Sequence, residues 1–340
     1  MDEERLIFII SQPRAGSTLL QRILANHSDI YSRGESWFLL PLVHAYYKDV
    51  SASYDSGLAR RAINEQIRLG NLPSAVIGDK LAGLTLSLYG SILDQRSERH
   101  FLDKTPRYYY IIAELKQLFP KAKIILLLRN PVAVLSSIIK TWYTNLQSHY
   151  DDVCLAPVLL SNHLSDAFVV RYESLLSNSE MELKSLCGYL NLRYDPQLLN
   201  VNKSNHRVEF GDPTGQYSYE NINTLHHKSY LNLASQSYQH WSLLYSYTQA
   251  MSRTTFDKLG YNKGQIVSDL TNIKPKTARH ISFNNLFGLD TTFQLGFYFE
   301  EYIEKFNLYK GSYLAVKNLL TGKSKIPNYN YLYKSKYFNR

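Results

Sequence analysis

Cysteine is scarce in this sequence. Among 340 residues only Cys154 and Cys187 carry a thiol, with no C-x-x-C pair and no cluster with histidine. Such spacing builds neither a disulfide framework nor a zinc site, and it suits a reducing compartment. No apolar run reads as long enough to cross a membrane. The start, Met1-Asp2-Glu3-Glu4, is acidic and leads straight into an apolar strand, so it does not read as a secretory signal. A cytoplasmic protein is expected, and the Asn26-His27-Ser28 and Asn202-Lys203-Ser204 glycosylation patterns are then read as chance. Acid is missing at the far end: from Lys305 to Arg340 there are eight Lys or Arg and no Asp or Glu. Almost the whole net charge of +9 could come from that tail, a balance that favours anionic ligands, nucleic acid or acidic lipid heads. The apolar share, 44%, is ordinary for a globular chain. The length allows one large α/β domain, or one domain with a sizeable extension.

The strongest local pattern is Ile7-Phe8-Ile9-Ile10-Ser11-Gln12-Pro13-Arg14-Ala15-Gly16-Ser17-Thr18-Leu19-Leu20. An apolar strand runs into a Pro/Gly turn, and an amphipathic helix opens on Ser17 and Thr18. Backbone N–H groups, two hydroxyls and a helix N-terminus converge there, an arrangement that binds oxyanions of the phosphate type. The turn departs from the nucleotide-triphosphate pattern G-x-x-x-x-G-K-[ST]. Aligned on Gly16 and Thr18, Ser11 stands at the first Gly and Ser17 at the essential Lys, while a cation returns as Arg14. The loop reads as a phosphate cradle, but not as one for ATP with magnesium.

Residues 5–11 read as a buried strand and 17–27 as a helix with Leu19, Leu20, Ile23 and Leu24 inward. Ser32-Arg33-Gly34-Glu35 reads as a strand end or turn, and 37–100 as mostly helical. Phe101-Leu102-Asp103-Lys104-Thr105-Pro106 is a short strand and turn before a helix reaching Phe119. Lys123 to Leu128 is a continuous apolar run that suits a central strand covered on both faces. A helix is expected near Val132 and a short strand over Ala167–Val170. Alternation of this kind predicts an α/β fold: a three-layer, P-loop-like parallel sheet flanked by helices, with a mainly helical C-terminal extension. Functional groups should gather at the strands' carboxyl ends, where Arg14, Glu35, Lys104, Arg129 and Tyr172 all fall. The composition turns towards Tyr, Asn and Lys past Tyr261, which places a domain at 1–264 and a basic extension at 265–340.

Together these segments resemble the sulfotransferases that use 3′-phosphoadenosine 5′-phosphosulfate (PAPS). Pro13-Arg14-Ala15-Gly16-Ser17-Thr18 is similar to that family's 5′-phosphosulfate loop. Leu128-Arg129-Asn130-Pro131 with Ser136-Ser137 is similar to its 3′-phosphate motif. Arg171-Tyr172-Glu173-Ser174-Leu175 resembles its Tyr-Glu-Asp-Leu segment, and Gly211-Asp212-Pro213 a later loop. The likeness covers roughly residues 5–262.

The resemblance implies PAPS as donor, PAP as product, a hydroxyl-bearing acceptor and no metal. Pro13, Arg14, Ala15, Gly16, Ser17 and Thr18 would hold the 5′-phosphosulfate, and Arg14 would neutralise charge as the sulfuryl group leaves. Lys104 would reach the transferred sulfonate. Small-molecule sulfotransferases carry a His two residues after that lysine, where this chain has Pro106. Glu35 instead resembles the glutamate base of the protein-tyrosine and glycan enzymes, the alternative being a structural pair with Arg33 or Arg14. Arg129 and Ser137 would hold the 3′-phosphate, and Arg207 is a second candidate for it. Tyr172 is set either against adenine or in the core, and His27 is read as a packed or capping residue. Trp37–Tyr54 and Lys140–Asp152, including Trp142, Tyr143, His149 and Tyr150, are candidate acceptor lining or core.

A carbohydrate or peptide hydroxyl is favoured as acceptor, with a small-molecule or lipid alcohol open. In the tail, Phe293 to Leu320 has helix-compatible apolar spacing. Packing on the main domain, a dimer contact and a weak membrane-surface contact are all open for it. Two other readings stay open: a P-loop kinase, which would need the lysine that Ser17 replaces, and a non-catalytic nucleotide or nucleic-acid binder. No nucleic-acid partner is expected from the sulfotransferase reading.

Overall fold

The computed structural model describes residues 1–32, 34–47, 56–142, 149–200 and 229–273. Arg33, Arg207, the Gly211-Asp212-Pro213 segment, Tyr143 and the tail with Phe293–Leu320 lie outside the described residues. In chain order the elements are β1 (Leu6–Ser11), α1 (Ser17–Ala25), β2 (Ile30–Tyr31), α2 (Leu39–Tyr47), α3 (Ser56–Leu69) and α4 (Val76–Leu93). Then come β3 (His100–Lys104), α5 (Ile112–Leu118), β4 (Lys123–Leu128), α6 (Pro131–Trp142), α7 (Tyr150–Cys154) and α8 (Ala156–Ser161). Next are β5 (Phe168–Arg171), α9 (Tyr172–Ser177) and α10 (Ser179–Tyr189), followed by α11 (Ser229–Gln236), α12 (Tyr238–Ala250), α13 (Arg253–Leu259) and α14 (Lys263–Asn272). The described residues fall into two compact units. The first comprises those within 1–40, 77–137 and 156–229, the second those within 41–76, 138–155 and 230–340.

The first unit holds a five-stranded sheet in the order β2-β3-β1-β4-β5. All its pairings are parallel, with Ile9 beside Lys104, Ser11 beside Leu127 and Leu128 beside Arg171. Every residue of β1 is buried, because both faces of a central parallel strand are covered. Ile7 and Ile9 pack with Leu19, Leu20 and Ile23 of α1 and with Leu183 and Leu186 of α10. On the other face Phe8 meets Tyr108 and Phe119 at ring-centroid distances of 6.1 and 5.8 Å. Each fully buried Leu, Ile or Phe of this kind contributes about 1.5–3 kcal/mol against leaving it in water. The three-layer α/β architecture expected from the sequence is therefore present.

Boundaries shift by a residue or two for visible reasons. Helix α1 ends at Ala25, with Asn26 as its C-cap. His27 begins the exit: its Nδ1 accepts the Asp29 N–H at 3.1 Å, and its Nε2 lies 3.0 Å from the Arg193 carbonyl. It is a packed, capping histidine. Helix α4 corrects an expectation. With 18 residues and mean hydropathy 1.2, it is long and apolar enough to cross a membrane by length and composition, and 28% of it is buried. Asp79, Lys80 and scattered Gly and Ser interrupt its apolar run in sequence. Its inner side carries Ala82, Thr85, Tyr89 and Leu93 into the first unit. Tyr89 stacks on Phe101 of β3 with ring centroids 4.0 Å apart.

In the second unit the helices are closed by their ends. Ser237 caps α12 through the His240 N–H, Ser252 caps α13 and Asn262 caps α14. The Trp241 indole donates to the Leu270 carbonyl at 2.7 Å, tying α12 to α14. Tyr247 donates to the Val153 carbonyl at 2.6 Å, tying α12 to α7.

Candidate active site

Four turns at the carboxyl edge of the sheet carry the polar groups. The turn after β1 is held in an unusual backbone shape, with φ 70° at Arg14 and 103° at Gly16. Gly16 suits its place twice over. Its φ disfavours any side chain, and a Cβ there would lie 2.5 Å from Cδ2 of Tyr172. The tyrosine ring thus presses on the loop's own backbone. Gly16 is the N-cap of α1 and the helix has no side-chain cap, so its first N–H groups remain the donors a helix start offers to an anion. Ser17 and Thr18 follow, both buried.

The turn after β4 is built by its own sequence. Pro131 opens α6, where the missing N–H is no loss. Asn130 Oδ1 accepts the Val132 N–H at 2.9 Å, and Glu173 Oε1 accepts the Asn130 N–H at 3.0 Å. Arg129 is thereby aimed back across the sheet. Its Nη1 donates to the Arg14 carbonyl at 3.0 Å, and its guanidinium sits 4.3 Å from the centroid of the Tyr172 ring. Arg14 in turn donates from Nε to Ser137 Oγ on α6 at 3.2 Å. The two turns are stitched together by these two arginines. Arg129 is only 9% exposed, and its Nε, like Ser136 Oγ of α6, is buried with no hydrogen-bond partner among the described residues. Unsatisfied donors in such a place are what an absent anion would occupy.

The third and fourth turns follow β2 and β3. Lys104 ends β3, fully buried, and its Nζ donates to Glu35 Oε1 at 2.7 Å. The Trp37 indole donates to the other carboxylate oxygen at 2.9 Å. Glu35 is therefore paired with Lys104, a partner the sequence reading did not consider. Gln21 of α1 holds the approach to Glu35, its Nε2 donating to Ser32 Oγ and the Gly34 carbonyl, each at 2.8 Å. Ser32 Oγ donates on to the Leu102 carbonyl of β3.

Beneath this pair lies Asp103, 2% exposed. Ser36, Tyr89 and Tyr108 hydroxyls surround its Oδ2 at 2.7, 2.8 and 3.0 Å, and Thr105 reaches Oδ1 at 3.0 Å. Burial holds the Asp103 carboxyl above its usual range, against the pull of those four hydroxyls. Burial first, and then the Asp103 charge, push the Tyr89 and Tyr108 phenols up. Both phenols stay protonated and serve as donors.

The structure thus brings Arg14, Gly16, Ser17, Thr18, Arg129, Ser137 and Tyr172 around one pair of turns, with Pro13 and Ala15 in the same loop. It places Glu35 and Lys104 together at the neighbouring strand ends. Arg207 lies outside the described residues. Tyr172, set against adenine or the core from sequence, is 4% exposed, with its ring between Gly16 and Arg129. Trp142 and His149 stack at 4.4 Å in the second unit, where His149 also meets Asp152 at 2.8 Å. Sequence reasoning missed Asp103 and Gln21 as site residues, and it set Trp37 as acceptor lining or core rather than as a partner of Glu35. The one available signal was a carboxylate at the inner end of an apolar strand.

The sequence model of the sulfotransferase family matches residues 6–196, more than half of the chain. The chain belongs to the sulfotransferase family. The matched span contains every turn just described. The sulfotransferase chain is 33% identical over 137 residues to the nodulation protein NoeE of Sinorhizobium fredii, covering 40% of this chain and 32% of that protein. It therefore spans about a third of NoeE's length. A putative protein-tyrosine sulfotransferase of Caenorhabditis briggsae is 24% identical over 210 residues, 58% of this chain and 69% of that one. Among solved structures, the sulfotransferase domain from the curacin biosynthetic pathway superposes with a TM-score of 0.47 and 23% identity. It covers 66% of this chain and 89% of its own.

Proposed function

We propose that this sulfotransferase moves a sulfuryl group from PAPS to a hydroxyl acceptor by in-line displacement, with Glu35 as base. The observation that carries the reading is the stitched pair of turns: Arg129 to the Arg14 carbonyl, and Arg14 to Ser137, with buried donors left over. A donor with a 5′-phosphosulfate and a separate 3′-phosphate needs two anion sites on one sheet edge, and these turns supply them. The α1 turn, with Gly16, Ser17 and Thr18, takes the 5′ group. Arg129 and Ser137 take the 3′-phosphate, Arg129 through charged hydrogen bonds. Tyr172 braces both from below.

Lys104 and Arg14 stabilise the charge that develops as the sulfur–oxygen bond to the 5′-phosphate breaks. As Lys104 turns from Glu35 to the sulfonate, Oε1 of Glu35 is freed to accept the acceptor's proton while the new sulfur–oxygen bond forms. Donor binding thus precedes activation of the base. A carbohydrate or peptide hydroxyl is the favoured acceptor. The sulfotransferase domain is assigned to 1–264, and 265–340 forms a basic extension.

Thermal unfolding with PAP, against ATP plus magnesium, tests the reading. At 100 times its Kd a ligand specific for the folded state stabilises by about 2.7 kcal/mol. PAP should raise the midpoint in wild type and not in Arg129→Ala. Stabilisation by ATP–magnesium alone would overturn the donor assignment and favour a kinase.

A further inference from the structure

We propose that Asp103 and Trp37 are positioning residues that hold the Glu35 carboxylate in place; this rests on the reading of Glu35 as the base. Trp37 has φ 54°, in the left-handed region that a bulky side chain avoids. Something must hold it there. Three successive N–H groups, of Trp37, Phe38 and Leu39, point at Thr105 Oγ1, Ser36 Oγ and the Tyr108 hydroxyl, at 3.3, 3.4 and 3.2 Å. Each of these oxygens also donates its own proton to Asp103. One buried carboxylate therefore fixes the polarity of three hydroxyls, and the hydroxyls fix three consecutive peptide groups. Had the hydroxyl protons no common acceptor, they would be free to rotate, and the turn would lose its directional hold.

The consequence reaches the base through the indole. With its backbone held in the left-handed region, Trp37 turns its Nε1–H back onto Glu35 Oε2, while Lys104, the residue after Asp103, holds Oε1. The Arg107 guanidinium, 5.6 Å from the Trp37 ring centroid, packs over the indole. Asp103 thus sets one end of the Glu35 clamp, the indole, through the turn, while Lys104 holds the other. Neither Asp103 nor Trp37 is asked to touch donor or acceptor.

The chain has three tryptophans, Trp37, Trp142 and Trp241, so tryptophan-labelled protein gives three indole N–H signals by NMR. The signal lost in Trp37→Phe identifies the first. That signal should move in Glu35→Gln, and Asp103→Asn should move it in the same sense, with the Trp142 and Trp241 signals unmoved as controls for the fold. Thr105→Val removes only the hydroxyl that receives the Trp37 N–H, and it reports the same coupling should Asp103→Asn fail to fold. A Trp37 signal indifferent to Glu35→Gln, or one that keeps its wild-type position in folded Asp103→Asn or Thr105→Val, overturns the proposal. PAP stabilisation should persist in Asp103→Asn and Thr105→Val, because neither residue lies in the turns that hold the donor. Absence of PAP stabilisation in wild type would sink the donor assignment and leave the indole result standing.

Discussion

Replacing Glu35 with alanine strands a buried cation. Lys104 Nζ lies 2.7 Å from Glu35 Oε1 on a side chain with no exposure, and the Glu35 side chain is 10% exposed. Removing one partner of a buried ion pair costs about 3–5 kcal/mol, because the charge left behind has neither water nor a counter-ion. Removing both is close to neutral, since neither desolvation nor attraction remains. The slight opening at Glu35 admits some solvent, so Glu35→Ala should lose roughly 3 kcal/mol, at the lower end of that range. Lys104→Met in the same chain should restore most of it. Urea denaturation reads both, as a midpoint shift without a change of slope. Sulfate at a fixed concentration should also raise the midpoint of Glu35→Ala more than that of wild type, by supplying the missing anion. A single variant within about 0.5 kcal/mol of wild type, or a double variant no more stable than the single, refutes the argument that Lys104 depends on Glu35.

Three further outcomes are expected. Gly16→Ala combines the strain of a left-handed backbone with a Cβ placed against Tyr172. It should destabilise by roughly 2–5 kcal/mol and abolish the thermal shift with PAP; a folded variant that keeps that shift would contradict the loop geometry. His100 at the start of β3 is held below its usual 6.5, first by burial and then by the Arg99 charge, against the pull of the Asp29 carbonyl. Its contribution to stability is present above pH 6.5 and lost as pH falls through the lowered folded value. Urea midpoints between neutral and mildly acidic pH should therefore fall more steeply in wild type than in His100→Gln. Tyr247→Phe leaves the buried Val153 carbonyl without its 2.6 Å donor and should cost about 1–3 kcal/mol in a melting experiment. No change there would show that water replaces the hydroxyl.

Local chemistry explains what could be read from sequence. Lys123 to Leu128 announces a doubly covered strand because burial on both faces demands a run of apolar residues, and β4 occupies those residues. The Gly16-Ser17-Thr18 turn is visible because its backbone shape needs glycine at one place. By contrast β2 is only Ile30–Tyr31, too short for any period to show. The Glu35–Lys104 pair spans 69 positions of sequence, and it exists because β2 and β3 lie side by side. No spacing rule contains that neighbourhood, so from sequence the structural alternative for the carboxylate was a pair with Arg33 or Arg14. Asp103 was hidden for a related reason. Its partners come from the β2 turn, α4 and the segment after β3, and only the packed sheet assembles them.

The order of the strands separates two kinds of change that the protein can undergo. The turns stitched by Arg14 and Arg129 spring from β1 and β4, inside the sheet, where each strand is locked by a neighbour on either side. Glu35 follows the two-residue strand at the margin, and the chain leaves there into the helices that precede β3. Insertions, deletions or exchanges in that excursion leave the register of the strands that carry the arginines untouched. On this plan the border of the sheet can vary in sequence and length while its interior stays fixed.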